Sequence, residues 1–490
     1  MTNTKPTEQA IEKLEKLFEQ HFGKRPEHTE MLPASGSDRR YYRLRSGDTT
    51  VIGTHNTNVA ENNSYFYFTE LFRKHKIHVP EVYVTSKDRH FYLQQDVGNL
   101  SLYDQLQKEG YTDEVRQNFH KALKQLARVQ WIAGREADFY QCFATRQFDE
   151  KAIMADLLYF KYYFADLQRI HYDKQALVEE MEQLSKELGR IQPQMLMYRD
   201  FQSRNIMLHD GKVYFIDFQG AMQGPPQYDI ASLLWQAKAQ LPDNWKEDLL
   251  NGYIASLAEL QVSRVEEVHF RKGYAQFVLL RILQVLGAYG FRGLMERKPH
   301  FISSIAPALK NLNSFLSDNP QSPPYPVMRS LLERLSSNEM QQRYTTPARN
   351  ENAPLRVNIC SFSYKKGIPQ DAGNHGGGYV FDCRGLLNPG RFVDYKHLSG
   401  KDEPVKQFLE LETKMPSFLE NVYDLVSLNV DDYLARGFES LSVAFGCTGG
   451  QHRSVYAAES LAAYLRNKYH IPVTISHCNE QNWVREQANK

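Results

Sequence analysis

Three side chains in the segment MYRDFQSRNIMLHDGKVYFIDFQG have the types and spacing to handle a phosphoryl group. Asp200 and Asn205 stand in a D-x-x-x-x-N loop, and Asp217 follows in the triplet I-D-F. Moving a γ-phosphate from ATP to a hydroxyl needs a carboxylate that orients the hydroxyl and accepts its proton. It also needs an amide oxygen and a second carboxylate to hold Mg2+ against the phosphates, since Mg2+ takes oxygen ligands and leaves room for water and phosphate. A D-x4-N pair alone is common. Here it is followed by an expected hairpin with Asp210-Gly211 at its turn, and by P-x-x-D-I-A, which holds Asp229.

Upstream, LPASGSDRRYYRLRSGDTTVIGTH sets Ser35, Gly36 and Ser37 between two strand-like runs. Backbone N–H groups of such a loop can approach phosphates, and Arg39, Arg40 and Arg43 add positive charge. The strand that follows carries no lysine, since VIGTHN offers Thr54 and His55.

A second anion-handling pattern lies in SLSVAFGCTGGQHRSVYAAESLAAYL, which reads as a buried strand, a Gly-rich loop and a helix from about Ser454. The loop amides and the helix N-terminus make an anion site, with Arg453 placed for bidentate contact. Cys447 and Arg453 also have the C-x5-R spacing of cysteine phosphatases, in which a thiolate attacks phosphorus. A phosphate-binding pocket and a phosphatase both remain open on these residues. The pocket is favoured, because no aspartate loop supplies a general acid.

The elements around these segments divide the chain in three. Residues 8–317 begin with strand-like runs (Tyr41–Leu44, Thr50–Gly53, Phe91–Gln95). They then turn to helical patterns such as Val115–Gly134, Ala152–Tyr163 and Trp245–Leu260. Residues 318–354, with SDNPQSPPYP and RYTTPARNENAP around one short helical stretch, read as a linker. Residues 355–490 alternate strands and helices, which predicts a small α/β domain with a largely parallel sheet.

Composition narrows the classes further. Of 490 residues 42% are hydrophobic and 24% charged, so a wholly disordered chain is excluded. Lys and Arg number 59 against 58 Asp and Glu, so no global charge advertises a polyanionic partner. Five Cys without a CxxC pair, and 16 His without an H-x-x-x-H pair, support neither a disulfide scaffold nor a zinc site. The polar, periodic N-terminus lacks a signal-peptide core. The most apolar run, Phe277 to Phe291, is interrupted by Arg281, Gln284 and Gly287 and is expected to be too short to span a bilayer. A cytoplasmic protein with no membrane partner is expected.

The catalytic-loop residues, their hairpin and Asp229 resemble the aminoglycoside phosphotransferase branch of the protein-kinase-like fold, an α+β two-lobed domain. The resemblance is nearest to anomeric cell-wall sugar kinases of the AmgK type. It rests on S-G-S-D-R-R-Y-Y-R, the lysine-free strand, Gln95-Asp96 as a hinge and RILQVLGAYGFRGLMERKP, over roughly residues 10–315. It implies Asp200 as catalytic base, Asn205 and Asp217 as Mg2+ ligands, and Asp229 as a brace. It further implies Ser35, Gly36, Ser37, Arg39 and Gln95 as ATP contacts. The implied reaction is phosphorylation of the 1-hydroxyl of an N-acetylated amino sugar, N-acetylmuramic acid or N-acetylglucosamine. Tyr198, where His is commoner, and Gln219, in place of the Gly of a DFG motif, depart from the pattern. The missing lysine keeps a second reading open, a pseudokinase adapter that binds a sugar phosphate, a partner protein or small RNA.

ICSFSYKKGIPQDA, YVFDCRGLLNPG, Gly400 to Val405 and FGCTGGQHRSV together resemble the C-terminal domain of the RNase adapter RapZ, over about residues 355–480. That resemblance implies a domain that senses glucosamine-6-phosphate and takes part in small-RNA binding. Cys447, Thr448, Gly449, Gly450, Gln451, His452, Arg453 and Ser454 would line the hexosamine-phosphate site, with Lys365 or Lys366 and Arg384 adding charge. Asn374 to Gly378 reads as an insertion, and no Walker-type G-x4-G-K-[ST] loop occurs. From Leu355 onward 15 Lys and Arg face 15 Asp and Glu, so RNA is the less favoured partner.

Overall fold

Period-two patterning builds an antiparallel sheet of five strands. These are β1 (His28–Met31), β2 (Arg40–Ser46), β3 (Thr49–His55), β4 (Val82–Thr85) and β5 (Phe91–Gln95), in the order β1-β2-β3-β5-β4. The computed structural model describes residues 4–33, 39–260, 262, 266–296, 298–345, 355–369, 378–469 and 471–484. Helix α1 (Thr4–Phe22) lays Leu14 and Phe18 on Tyr42, Leu44, Val51 and Leu93 of the sheet. Gly53 is needed there, since a Cβ would press on the side chains of Leu44 and Leu14. Helix α2 (Val59–Lys74) follows β3; Tyr65 on it packs at 5.5 Å from Tyr92 and at 4.8 Å from Phe218. The sheet is thereby fastened to the strand end that bears Asp217.

A larger helical part follows. It contains α3 (Leu102–Glu109), α4 (Asp113–Trp131), α5 (Glu150–Phe160) and α6 (Lys174–Gly189). Two short β-ladders come next, β6 (Met195–Met197) with β9 (Met222–Gly224) and β7 (Ile206–His209) with β8 (Lys212–Phe215). The β7–β8 hairpin turns at Asp210 and Gly211, both at positive φ, as its Asp-Gly pair predicts. Helices α7 (Gln227–Leu234), α8 (Asp243–Glu259) and α9 (Glu267–Tyr289) follow, with α5 and α7 packed on α9 and α8 packed on α4. Apolar residues at helical spacing (Ile153, Leu157 and Phe160 on α5; Phe277, Leu280 and Leu283 on α9) form one buried core.

The α9 helix corrects the expected bilayer argument. It continues in wider turns through Met295, giving 29 residues that are long and apolar enough to cross a membrane by length and composition. Of its most apolar window, 61% is buried inside the unit. Gly290 lets it touch the wide turn Lys161–Ala165, because a Cβ there would overlap the Tyr163 carbonyl oxygen.

The segment drawn as a linker also differs. After α10 (Pro299–Ile302) and α11 (Ile305–Asp318) come α12 (Pro326–Leu335) and α13 (Asn338–Tyr344). Met328, Leu331, Leu332, Leu335 and Met340 lie in the same core as α6 and α9. The Glu180 carboxylate accepts the Val327 and Met328 N–H groups at 3.0 and 2.6 Å, which caps α12. The first compact unit therefore runs to Thr345. The short helical stretch expected within the linker is α12, packed into the core rather than solvated, and α13 follows it; residues 346–354 of the expected linker lie outside the described residues.

The second unit is a four-stranded, fully parallel sheet, in keeping with the expected α/β domain. The strands β10 (Arg356–Ser363), β11 (Gly378–Asp382), β12 (Ser440–Cys447) and β13 (Val473–His477) have the order β11-β12-β10-β13. Helices α14 (Glu403–Leu411), α15 (Met415–Arg436) and α16 (Arg453–Tyr469) cover it. The loops after β10 and β12 emerge side by side, the usual place for a ligand crevice in a parallel sheet.

If 318–345 is part of the first unit, Leu332→Ala should lower its unfolding free energy by about 2–5 kcal/mol. A residue in a solvated linker would change it by less than about 0.5 kcal/mol. Urea unfolding followed by circular dichroism distinguishes the two.

Candidate functional site

The loop that carries Asp200 is held from beneath by Asp229, fully buried in the first turn of α7. Its carboxylate accepts the Tyr198 N–H at 2.7 Å, the Arg199 N–H at 2.9 Å and the Gln130 side-chain amide at 2.8 Å. Burial pushes the Asp229 carboxyl up to about 7, against the opposing pull of those three donors. Arg199 takes a left-handed φ of +79°, which is costly for a non-glycine residue. It is held there by Asp156 at 2.8 Å and by the rings of Phe148 and Tyr228 at 4.8 and 5.1 Å.

Asp200 leaves this brace half exposed, 3.5 Å from the buried Arg281 guanidinium of α9. Asn205 donates its amide to the Asp200 carbonyl at 2.9 Å and to the Asp217 carboxylate at 3.4 Å. The three residues picked out by spacing thus meet. Asp217 sits at φ +67°, and the other oxygen of its carboxylate accepts from Arg39 at 2.5 Å and from Gln219 at 2.8 Å. Burial pushes its carboxyl up, but Arg39 and Gln219 outweigh burial and hold it below the usual value.

Both departures from the family pattern have work to do here. The buried Tyr198 hydroxyl donates to the Ile216 carbonyl, tying the Asp200 loop to the residue before Asp217. Gln219 fixes the Asp217 carboxylate. Spacing did not reveal Arg281 or Glu61. The latter lies in the first turn of α2, 3.5 Å from the Arg39 Nε.

Asp217 and the Asn205 amide lie 3.4 Å apart, and a carboxylate and an amide are ligand types that fit a Mg2+ that takes its other ligands from phosphate and water. Among the described residues no group of three or more His, Cys, Asp or Glu forms a denser metal cage. Of the expected ATP contacts, Arg39 is in the cluster, while Ser35, Gly36 and Ser37 lie outside the described residues. Gln95 ends β5 and stands apart, exchanging hydrogen bonds with the Glu81 backbone. Arg43 instead pins the segment after β5, through Asp96 at 2.6 Å and Asn99 at 2.6 Å.

In the second unit the expected pocket splits into two sets. The buried Cys447 Sγ lies 3.2 Å from the Gly450 N–H and 3.1 Å from the Ser454 hydroxyl, inside the loop. Gln451 donates to the Leu398 and Val484 carbonyls at 2.7 and 3.1 Å, and the His452 Nε2 is 2.9 Å from the Tyr395 carbonyl. Burial holds His452 below its ordinary pKa. Arg453 donates to the Arg384 and Leu386 carbonyls at 3.1 and 2.7 Å. These side chains fasten neighbouring segments to the loop. Thr448 and Gly449 are the exposed tip, with Lys365 and Lys366 exposed on the adjoining turn after β10. Arg384 forks onto Asp382 and lies 3.9 Å over the Tyr364 ring. The insertion residues 374–377 lie outside the described residues.

The first unit thus pairs an antiparallel sheet with helices around a braced D-x4-N loop, and the second is a small parallel α/β domain. Residues 30–262 match the model of the phosphotransferase enzyme family, and residues 355–481 match that of the RapZ C-terminal domain. A nucleotide-binding protein of Fervidobacterium nodosum is 40% identical over 121 residues, 25% of this chain and 41% of that protein. YvcJ, a nucleotide-binding protein of Bacillus subtilis, is 39% identical over 127 residues, 26% of this chain and 41% of its own length. The chain spans about two fifths of the length of these relatives. Among solved structures, choline kinase LicA of Streptococcus pneumoniae aligns with a TM-score of 0.42 and 14% identity, over 62% of this chain and 99% of that one.

The Asp229 brace has a pH signature. Its folded value of about 7 lies above the ordinary 3.8, so the folded chain keeps a proton that the unfolded chain releases between those values. The stability this gives is present below pH 4 and is lost as pH rises through 7. Asp229→Asn, which cannot titrate, should lose less stability than wild type over that range. Urea midpoints of both proteins from pH 4 to 8 measure the difference.

Proposed function

We propose that the first unit is an ATP- and Mg2+-dependent small-molecule kinase acting on the anomeric hydroxyl of an N-acetylated amino sugar, N-acetylmuramic acid or N-acetylglucosamine. The observation that carries this reading is the convergence of Asp200, Asn205 and Asp217 on one braced loop. Asp200, half exposed and the least encumbered of the three, orients the acceptor hydroxyl and takes its proton at a carboxylate oxygen. Asn205 and Asp217 hold the cation, which when bound neutralises phosphate charge. Arg281, beside Asp200, fixes the carboxylate on the acceptor side. Support for the sugar comes from the sequence resemblance, and five unpaired cysteines suit a reducing cytoplasm.

The second domain in this reading binds a hexosamine phosphate at the loop tip and regulates the first. The Thr448 and Gly449 amides and the Lys365 and Lys366 ammonium groups suit a phosphate monoester. With the Arg453 Nη1 committed to two carbonyls, a phosphatase at Cys447 is disfavoured.

ADP release with Mg2+ and ATP should depend on one member of a panel of glucosamine, N-acetylglucosamine, N-acetylmuramic acid and an aminoglycoside. Asp200→Asn should cut turnover roughly 10²- to 10⁴-fold while sparing ATP binding. Nucleotide binding with no turnover on any sugar would favour the adapter reading. Gly449 faces open space, so Gly449→Glu fits sterically and should abolish glucosamine-6-phosphate binding by charge repulsion in calorimetric titration, leaving ATP affinity unchanged.

A further inference from the structure

Kinases of this general type place a strand lysine on the nucleotide phosphates and pair it with a glutamate of the following helix. This chain has no such lysine on β3, yet its cleft contains the glutamate. Glu61 is anchored, since one carboxylate oxygen accepts from the Asn56 amide at 2.9 Å. The other oxygen lies 3.5 Å from the Arg39 Nε. Arg39 is 8% exposed, and its Nη2 reaches Asp217 at 2.5 Å. It stands next to Arg40, which is in register with His55, so it enters the cleft beside the end of β3. Its Nε is buried and meets Glu61 only as a 3.5 Å ion pair without a hydrogen bond, so the guanidinium is loosely held in the cleft.

We propose, resting on the kinase reading above, that Arg39 takes the place of the missing lysine. Anchored by Glu61, its guanidinium contacts the nucleotide phosphates; without nucleotide, it pairs with Asp217 and orients that carboxylate. On nucleotide binding Arg39 exchanges the Asp217 carboxylate for a phosphate oxygen, and Asp217 is freed to hold the cation. A guanidinium suits this exchange, because its planar fork can face Glu61 with one edge and a second anion with another.

The test uses the full chain and equilibrium binding of three probes: Mg2+ with the non-hydrolysable analogue AMP-PNP, ADP, and adenosine. Arg39→Gln should weaken AMP-PNP and ADP roughly 10- to 100-fold, the scale of a lost charged hydrogen bond. Adenosine, which lacks phosphates, should bind as to wild type. Arg39→Lys should recover part of the loss, and Glu61→Gln should weaken the phosphate-bearing probes alone. Unchanged AMP-PNP affinity in Arg39→Gln would overturn the proposal, as would a parallel loss of adenosine, which would mark a merely structural arginine. If wild type binds none of the probes, the kinase reading itself falls. If wild type binds them without transferring phosphate, and Arg39→Gln weakens them, the arginine's role stands and turnover alone is refuted.

Discussion

A single buried carboxylate holds the loop on which the candidate chemistry depends. Asp229 satisfies two backbone N–H groups in succession, at Tyr198 and Arg199, just before Asp200. Its third partner, Gln130, accepts from the Tyr253 hydroxyl at 2.6 Å, which itself accepts from the Trp131 indole at 3.0 Å. The chain of hydrogen bonds thus runs from α4 and α8 through α7 into the loop. In a low-dielectric interior a fully satisfied network is rigid, and a broken one leaves orphaned polar groups. This is why a left-handed arginine persists beside Asp200.

Charge pairing sets the rest of the cleft. Asp217 faces Arg39, Arg39 faces Glu61, Asp156 faces Arg199, and Asp200 lies at the edge of Arg281. Among these carboxylates Asp200 has the greatest exposure, and its 3.5 Å contact is as long as that of Glu61 with Arg39. A base must be free to reach a proton, and a metal ligand must be oriented and ionised, so the two environments differ in the direction the proposed chemistry requires.

Local spacing made the loop legible: the D-x4-N pair, the Asp-Gly hairpin and the trailing aspartate are neighbours in sequence and in space. The parallel sheet of the second domain was legible for the same reason, through its strand–helix alternation. Glu61 and Arg281 were not, because each comes from a helix far along the chain and only tertiary packing delivers it. Helix α12 was legible as a helical stretch, but its Pro- and Ser-rich flanks suggested a linker and hid both α13 and the burial of Met328, Leu331, Leu332 and Leu335. In the Cys447 loop, residue types suggested ligands, but Gln451, His452 and Arg453 instead satisfy carbonyls of adjoining segments. A sequence pattern does not say which way such side chains turn.

The central claim is that the braced cleft moves a phosphoryl group from ATP to a sugar hydroxyl. Phosphorus NMR of the full chain with Mg2+, ATP and N-acetylmuramic acid or N-acetylglucosamine follows the γ-phosphate directly. The account predicts ADP together with a new phosphate-ester resonance split by one sugar proton, as an anomeric phosphate requires. Unchanged ATP, or inorganic phosphate that forms at the same rate without sugar, would contradict it.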